Sequence, residues 1–169
     1  MLSDTARYAL RALTVLARQE PRPASIVEIA AAARAPRKYL EAIMQRLKRD
    51  GLLFSQRGRT GGYGLARSAD RISVADIIRC MDGPLALAPC ASRTRYAACA
   101  DCVDVEACRI RDVLMEGRDA LAEVLERRTL AELAETPASD TPLVTGPSVS
   151  DPQRQADGAG VAGVAENQA

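Results

Sequence analysis

Four of the five cysteines in this chain lie close together in the second half of the sequence. They are Cys90, Cys99, Cys102 and Cys108, which fall within 19 consecutive residues. Thiolates bind zinc ions and iron–sulfur clusters, and the chain contains no histidine to act as a nitrogen ligand. The spacing therefore predicts a metal centre whose protein ligands are all sulfur atoms.

The same cysteines are compatible with other chemistry. They could hold a structural zinc ion, or they could stay metal-free and act as a thiol sensor. A cysteine-based redox enzyme is disfavoured, because Cys99 and Cys102 form a Cys-x-x-Cys pair outside any βαβ pattern and no histidine could act as a base. The fifth cysteine, Cys80, lies beside apolar residues and is expected to be a buried filler.

The segment before the cysteines has the pattern of a helix-turn-helix unit. Residues 4–18 carry apolar side chains at helical spacing, and Ser25 with Glu28 predicts a capping box at the start of a short second helix. Pro36 suits the first turn of a third helix, which Gly51 should end. The apolar stripe of this third helix consists of Tyr39, Leu40, Ile43, Met44 and Leu47. Three such helices, with a tight turn before the last, are typical of DNA-binding proteins.

A glycine-rich hairpin is predicted directly after the third helix. Residues 52–57 and 63–67 are short extended runs, and Gly58, Gly61 and Gly62 lie in the turn between them. A hairpin in this position is a wing, and its glycines would let the backbone approach a duplex closely.

Beyond the wing the pattern is helical again. Ser73 opens a fourth helix that ends near Asp82, and a short last helix is expected near residues 129–133. Between them, apolar residues recur every three or four positions over four turns, at Ile110, Val113, Leu114, Gly117, Leu121, Val124 and Leu125. So long a stripe on a small domain is expected to be buried by a second copy of the chain.

These elements predict a mainly α fold. It comprises a winged helix-turn-helix DNA-binding domain with a β-hairpin wing, plus a long C-terminal dimerisation helix. We assign residues 1–84 to the DNA-binding domain, 85–108 to a cysteine-rich sensor loop and 109–135 to the dimerisation helix. Residues 136–169 are rich in Pro, Gly, Ser, Ala and Asp, which predicts a disordered tail.

Charge is distributed unevenly along the chain. Residues 1–67 contain thirteen Lys/Arg against five Asp/Glu, a net charge of +8, whereas the remainder has a net charge of −7. A basic N-terminal half is the expected footprint of a nucleic-acid-binding protein.

The candidate DNA-binding residues lie on the outer face of the third helix and in the wing. Arg37 and Lys38 could donate hydrogen bonds to guanine, and Glu41 could accept one from a cytosine amino group. Alternatively, this face of the helix has no role in DNA binding and is simply solvated, and Glu41 pairs with Arg37 or Gln45. The full set is Arg37, Lys38, Glu41, Gln45, Lys48, Arg57 and Arg59.

Four segments carry a resemblance to a known family: residues 8–13, 28–30, 39–52 and 57–65. Together with the cysteine loop and the helix after it, they resemble the IscR/NsrR-type family of dimeric winged helix-turn-helix transcriptional regulators. The likeness covers roughly residues 1–134. It implies a homodimer on a palindromic operator in double-stranded DNA, with the third helix in the major groove and the wing in the minor groove.

The resemblance also implies a [2Fe-2S] or [4Fe-4S] cluster on three loop cysteines. The gap between Cys102 and Cys108 matches the family pattern. Two features depart from it, because this chain has four loop cysteines and lacks the histidine that IscR-like members place after the last one. Cys99 or Cys102 would be either the second core ligand or a replacement fourth ligand.

These observations together predict a transcriptional regulator and not an enzyme. We expect a repressor whose operator affinity depends on an iron–sulfur cluster that senses iron, redox state or nitric oxide. The alternative keeps the winged helix but makes the loop a zinc-bound or metal-free thiol sensor. The sequence has no apolar run of membrane-spanning length and no secretory signal pattern at its start, so a cytoplasmic location is expected.

Overall fold

A computed structural model describes residues 2–58, 61–100, 102 and 104–135. Within these ranges the chain is mainly helical, with a single two-stranded antiparallel sheet, as the sequence predicted. The predicted disordered tail, residues 136–169, lies outside the described residues, and so does Arg59. The elements are α1 (Asp4–Gln19), α2 (Ile26–Ala33), α3 (Arg37–Arg49), β1 (Leu53–Gln56), β2 (Gly62–Leu65), α4 (Val74–Asp82), α5 (Arg109–Arg127) and α6 (Leu130–Glu135).

Side-chain caps fix where the helices begin. The predicted capping box is confirmed: the Ser25 hydroxyl accepts a hydrogen bond from the Glu28 backbone N–H, and the Glu28 carboxylate accepts one from the Ser25 N–H. Ser73 and Asp76 form a second capping box at the start of α4. Gly83 ends α4 at φ +89°, a backbone conformation that glycine adopts without strain.

The main core lies between α1, α2, α3, α4 and α6. Leu13, Ile29, Leu40 and Leu47 are fully buried within it. Tyr39 is not, because 44% of its surface is exposed, so placing it in the buried stripe of α3 was wrong. The tyrosine lies at the edge of that stripe, where its hydroxyl is 2.7 Å from the Thr5 hydroxyl.

The wing is joined to the connection between α1 and α2. Ala24 and Tyr63 exchange two backbone hydrogen bonds, of 2.9 and 2.8 Å, as an isolated antiparallel bridge. The approach is so close that a Cβ atom on Gly62 would lie 2.2 Å from the Ala24 carbonyl oxygen. Gly62 is therefore required by packing inside the protein, whatever it does near a duplex.

We predict that Gly62→Ala destabilises the fold. The added methyl group must displace backbone at Ala24, and overpacking of this kind costs about 1–3 kcal/mol. Urea unfolding at one protein concentration checks this. The matched control is Gly117→Ala in α5, where the nearest atom to the new Cβ would be 3.8 Å away. That control should be neutral or stabilising, so equal unfolding free energies for the two variants would contradict the prediction.

The far end of α5 is tied to the start of α4. The Val74 N–H donates to the Arg128 carbonyl at 2.9 Å, and the Leu130 N–H donates to the Ile72 carbonyl at 2.8 Å. Residue 130 is fully buried, and α6 packs on α1. These contacts connect the end of α5 to the helix-turn-helix unit. No helix in the described ranges is long and apolar enough to cross a bilayer.

Candidate nucleic-acid interface and cysteine loop

The outer face of α3 is open to solvent along its whole length. All five candidate residues on it are exposed, as predicted: Arg37, Lys38, Glu41, Gln45 and Lys48. The buried residues of α3 lie on its other side, toward the core. Arg57, at the end of β1, is also exposed.

Two of these residues contact each other. The Arg37 Nε donates to Glu41 Oε1 at 3.1 Å, and both side chains are at least half exposed. This is the pair predicted by the alternative in which the face of α3 is only solvated and has no role in DNA binding. An exposed ion pair of this kind contributes little to the stability of the fold. The Arg37 guanidinium, with one donor engaged, keeps further N–H groups that could donate to a base edge.

Two other residues join α3 to the wing. The Lys48 ammonium donates to the Ser55 hydroxyl at 2.6 Å, and the Gln45 amide donates to the Tyr63 hydroxyl at 3.4 Å. Ser55 and Tyr63 are cross-strand partners in the hairpin, so both lie on the same face of it. Sequence reasoning missed these two residues, because the alternation of faces along a strand does not say which side chains of α3 lie opposite.

Cys90 is the buried member of the cysteine loop. It lies in a short 3₁₀ turn, Pro89–Ala91, with 6% of its surface exposed. Arg111 of α5 bonds the backbone at both ends of the cysteine segment. Its Nε donates a hydrogen bond to the Cys90 carbonyl, and its backbone N–H donates one to the Cys108 carbonyl, each at 3.1 Å. The first and last predicted ligands are thus anchored to the same turn of helix.

The other two cysteines lie further out. Cys102 is half-buried and Cys99 is exposed, and the Cys102 N–H donates to the Cys99 carbonyl at 3.2 Å in a turn. In the ranges that the structure covers, no three metal-ligand side chains are grouped closely enough to hold a metal ion. The four-cysteine ligand set therefore stays a prediction, and binding a metal would require the loop to draw its thiols together.

Arginine charge is concentrated beside the Cys90 turn. Arg93 donates to Asp119 Oδ2 at 2.5 Å, and Arg118 forms an ion pair with the other oxygen of the same carboxylate. Arg118 is buried, with Nη2 in this ion pair, and its Nε has no hydrogen-bond acceptor among the described residues. Arg93 and Arg118 thus share a single carboxylate at this end of the cysteine loop.

Cys80 is set apart from this chemistry. It is buried, as expected, but its thiol donates a hydrogen bond of 2.8 Å to Asp50 Oδ2 at the end of α3, a contact that the sequence did not suggest. Burial, and then the hydrogen bond to Asp50, raise the pKa of the Cys80 thiol to about 12. The thiol therefore stays protonated at neutral pH and serves to join α4 to α3.

The family model and the curated relatives described below are those of transcriptional regulators. The model of the Rrf2 family, described as an iron-dependent transcriptional regulator, matches residues 2–136. An rrf2-like HTH-type transcriptional regulator of Rhodobacter capsulatus is 38% identical over 137 residues, covering 79% of this chain and 91% of that protein. The HTH-type transcriptional regulator NsrR of Geobacillus kaustophilus is 35% identical over 140 residues, covering 82% and 92%. Among solved structures, CymR, the global cysteine regulator of B. subtilis, superposes with a TM-score of 0.64 at 32% identity, covering 79% and 95%.

Proposed function

The chain belongs to the Rrf2 family of HTH-type transcriptional regulators, and we propose that an iron–sulfur cluster on its cysteine loop controls its affinity for an operator. Its relatives are regulators and not enzymes, so its output is DNA binding. The observation that carries the proposal is the cysteine segment, which is anchored by Arg111 to the helix that leads back to α4.

In the proposed mode of binding, α3 enters the major groove and the wing reaches the adjacent minor groove. The exposed face of α3 supplies the base contacts, and the bonds from Gln45 and Lys48 hold the wing at a fixed distance from it. Arg37, Lys38 and Glu41 are near the start of α3, where a recognition helix reads bases. Arg57 and Arg59 would read the width of the minor groove.

We predict opposite effects for two substitutions in this surface. Arg57→Ala should weaken binding to every duplex and reduce the magnitude of the slope of log affinity against log salt by about 1.8, because one phosphate contact, worth about 0.9, is lost in each of the two protomers. Glu41→Ala should instead relax base preference at one position, by about 1–3 kcal/mol. Fluorescence anisotropy with a selected operator and single-base variants over a salt series measures both effects. If neither variant differs from wild type, α3 and the wing do not form the interface.

We further propose that the regulator is a homodimer on a palindromic operator. Four large apolar residues of α5 point away from the rest of the subunit: Ile110, Val113, Leu121 and Val124. Val113 is 67% exposed and Val124 is 51% exposed, which is unfavourable for residues at regular spacing along one helix face. The same face on a second copy would cover them, in an isologous interface about a two-fold axis.

The residues that would hold the cluster are Cys90 and Cys108 together with Cys99 or Cys102, the remaining one of these two being an additional ligand. A bound cluster supplies a centre that reacts with oxidants and nitric oxide and is lost under iron limitation. In this proposal, drawing the thiols together shifts the Cys90 turn, which Arg111 and Arg93 attach to α5. A shift of α5 would then change the spacing of the two recognition helices in the dimer, and with it the fit to the two half-sites.

A second function is favoured by one pair of observations. The thiols are not preassembled among the described residues, and the structure resembles that of CymR, the global cysteine regulator of B. subtilis. The loop would then be a metal-free sensor of thiol state or of a sulfur-containing small molecule. Anaerobic purification followed by iron, sulfide and zinc analysis decides between the two, because a protein with neither iron nor sulfide excludes the cluster.

A further inference from the structure

The start of α3 lacks the side-chain cap that the other helices of the DNA-binding domain have. α1, α2 and α4 each follow a serine whose hydroxyl accepts a hydrogen bond from the backbone of the first turn. The corresponding residue of α3 is Pro36, whose side chain has no acceptor. The buried residues of α3 begin only at Leu40, after its first turn. The first turn of α3 therefore depends on a contact with another element to fix its position.

Tyr39 makes such a contact from within the first turn. Its hydroxyl lies 2.7 Å from the Thr5 hydroxyl of α1, which is hydrogen-bonding distance. Its ring meets the ring of Tyr8 edge to face, with the centroids 5.7 Å apart and the ring planes at 77°. This arrangement is favourable for aromatic pairs. One tyrosine thus holds the start of α3 against α1 with both its ring and its hydroxyl.

The part of α1 that Tyr39 contacts is itself fixed. The Ser3 hydroxyl caps α1 by accepting a hydrogen bond of 3.1 Å from the Ala6 N–H. Ser3 is also bonded to the Asp82 carboxylate at the end of α4, through its backbone N–H at 3.0 Å and through its hydroxyl. The first turn of α1 is therefore joined to α4, and it gives Tyr39 a support that does not depend on α3.

The side chains proposed to read bases lie next to this contact. Arg37, Lys38 and Glu41 are all within one helical turn of Tyr39. A hydrogen bond to a base edge tolerates only a narrow range of distance and angle, so a small displacement of the helix start weakens it. The attraction between basic side chains and phosphates does not depend on the base sequence. Loosening the start of α3 should therefore reduce sequence discrimination more than general affinity for DNA.

We propose that Tyr39 is a positioning residue for base recognition, and that its hydrogen bond with Thr5 holds the first turn of α3 in place against the base edges. This inference rests on the proposed role of α3 as the recognition helix. Tyr39 need not touch a base, because it acts through Arg37, Lys38 and Glu41.

The test compares variants of the full chain. Tyr39→Phe removes the hydroxyl and keeps the ring, Thr5→Val removes the partner hydroxyl and keeps the branched shape, and a third variant combines the two. Tyr96→Phe is the matched control, since Tyr96 is also exposed but lies in the cysteine loop. Fluorescence anisotropy measures affinity for a duplex that the wild-type protein selects from a random library, for its single-base variants and for an unrelated duplex of equal length.

We expect Y39F and T5V each to lower the ratio of affinities for the selected and unrelated duplexes by about 3–10-fold, the scale of one net hydrogen bond. The double variant should lose no more than either single variant, because the two hydroxyls act as one pair. Y96F should keep the wild-type ratio. Affinity for the unrelated duplex and the melting temperature should stay close to wild type in every variant.

The other outcomes identify what is wrong. If Y39F and T5V weaken binding to all duplexes by one common factor, Tyr39 supports affinity and not base reading, and the inference is overturned. Additive losses in the double variant overturn it as well, because the hydroxyls would then act independently. If Y39F melts well below wild type, T5V carries the test, and a wild-type ratio in T5V overturns the inference. Unchanged ratios in all variants overturn this inference alone, whereas a wild-type protein that prefers no duplex overturns the proposed function too.

Discussion

Replacing Cys90, Cys102 and Cys108 together by alanine is expected to abolish iron and sulfide binding and to make operator affinity independent of oxidants and nitric oxide. Only Cys99 would remain in the loop, and a cluster needs several thiolate ligands. Loss of a single outer-shell partner already costs about 10–100-fold in metal affinity, so removal of three ligands should reduce bound iron by more than that. Iron and sulfide analysis of anaerobically purified protein, with operator titrations before and after exposure to air, measures both effects.

The matched control for this experiment is Cys80→Ala. Its thiol is hydrogen-bonded to Asp50 and outside the loop, so this variant should retain iron. If the triple variant keeps the metal content of wild type but loses its response to oxidants, the loop is a thiol sensor and the cluster proposal is wrong. Loss of tightly bound zinc, with no iron in wild type, would identify a structural zinc site instead.

Val113→Glu is expected to produce a monomer that has lost most of its affinity for a palindromic operator. Val113 is 67% exposed in the single subunit, so the change should not unfold it. In a dimer, however, the substitution buries two carboxylates in an apolar contact. Linking two half-site readers raises affinity by about 10²–10⁴-fold, and the monomer should lose a factor in that range. Analytical ultracentrifugation and operator titration test the two parts separately.

Glu116→Lys provides the comparison for Val113→Glu. Residue 116 is also exposed, but it lies on the charged side of α5. The control should stay dimeric and bind the operator normally. A Val113→Glu protein that remains dimeric with unchanged affinity would show that the apolar face of α5 is not the interface between copies.

The winged helix could be predicted almost completely from the sequence, because each of its elements has a local signal. Periodicity gave α1 and α3, the Ser25 and Glu28 pair gave the start of α2, and the glycine turn gave the hairpin. Tyr39 was wrongly assigned to the buried stripe of α3. A residue at the edge of an apolar stripe can be exposed, and an aromatic ring with a hydroxyl tolerates such a position.

What the sequence did not reveal are contacts between residues far apart in the chain. The bond from Cys80 to Asp50, the bonds from α3 to Ser55 and Tyr63, and the burial of Arg118 all depend on how the elements pack. Periodicity places a residue on a face of its own helix, but it does not say which side chain of another element lies opposite. For Arg118 the sequence was misleading, since an arginine in an otherwise charged helix is normally solvated.

The backbone bridge between Ala24 and Tyr63 bears on how tightly this regulator binds its operator. A hairpin that is already fixed to the body of the protein need not be immobilised when it meets DNA, so less conformational entropy is lost on association. Substitutions in the linker around Ala24 should therefore alter the lifetime of the operator complex, even though that segment need never touch a nucleotide.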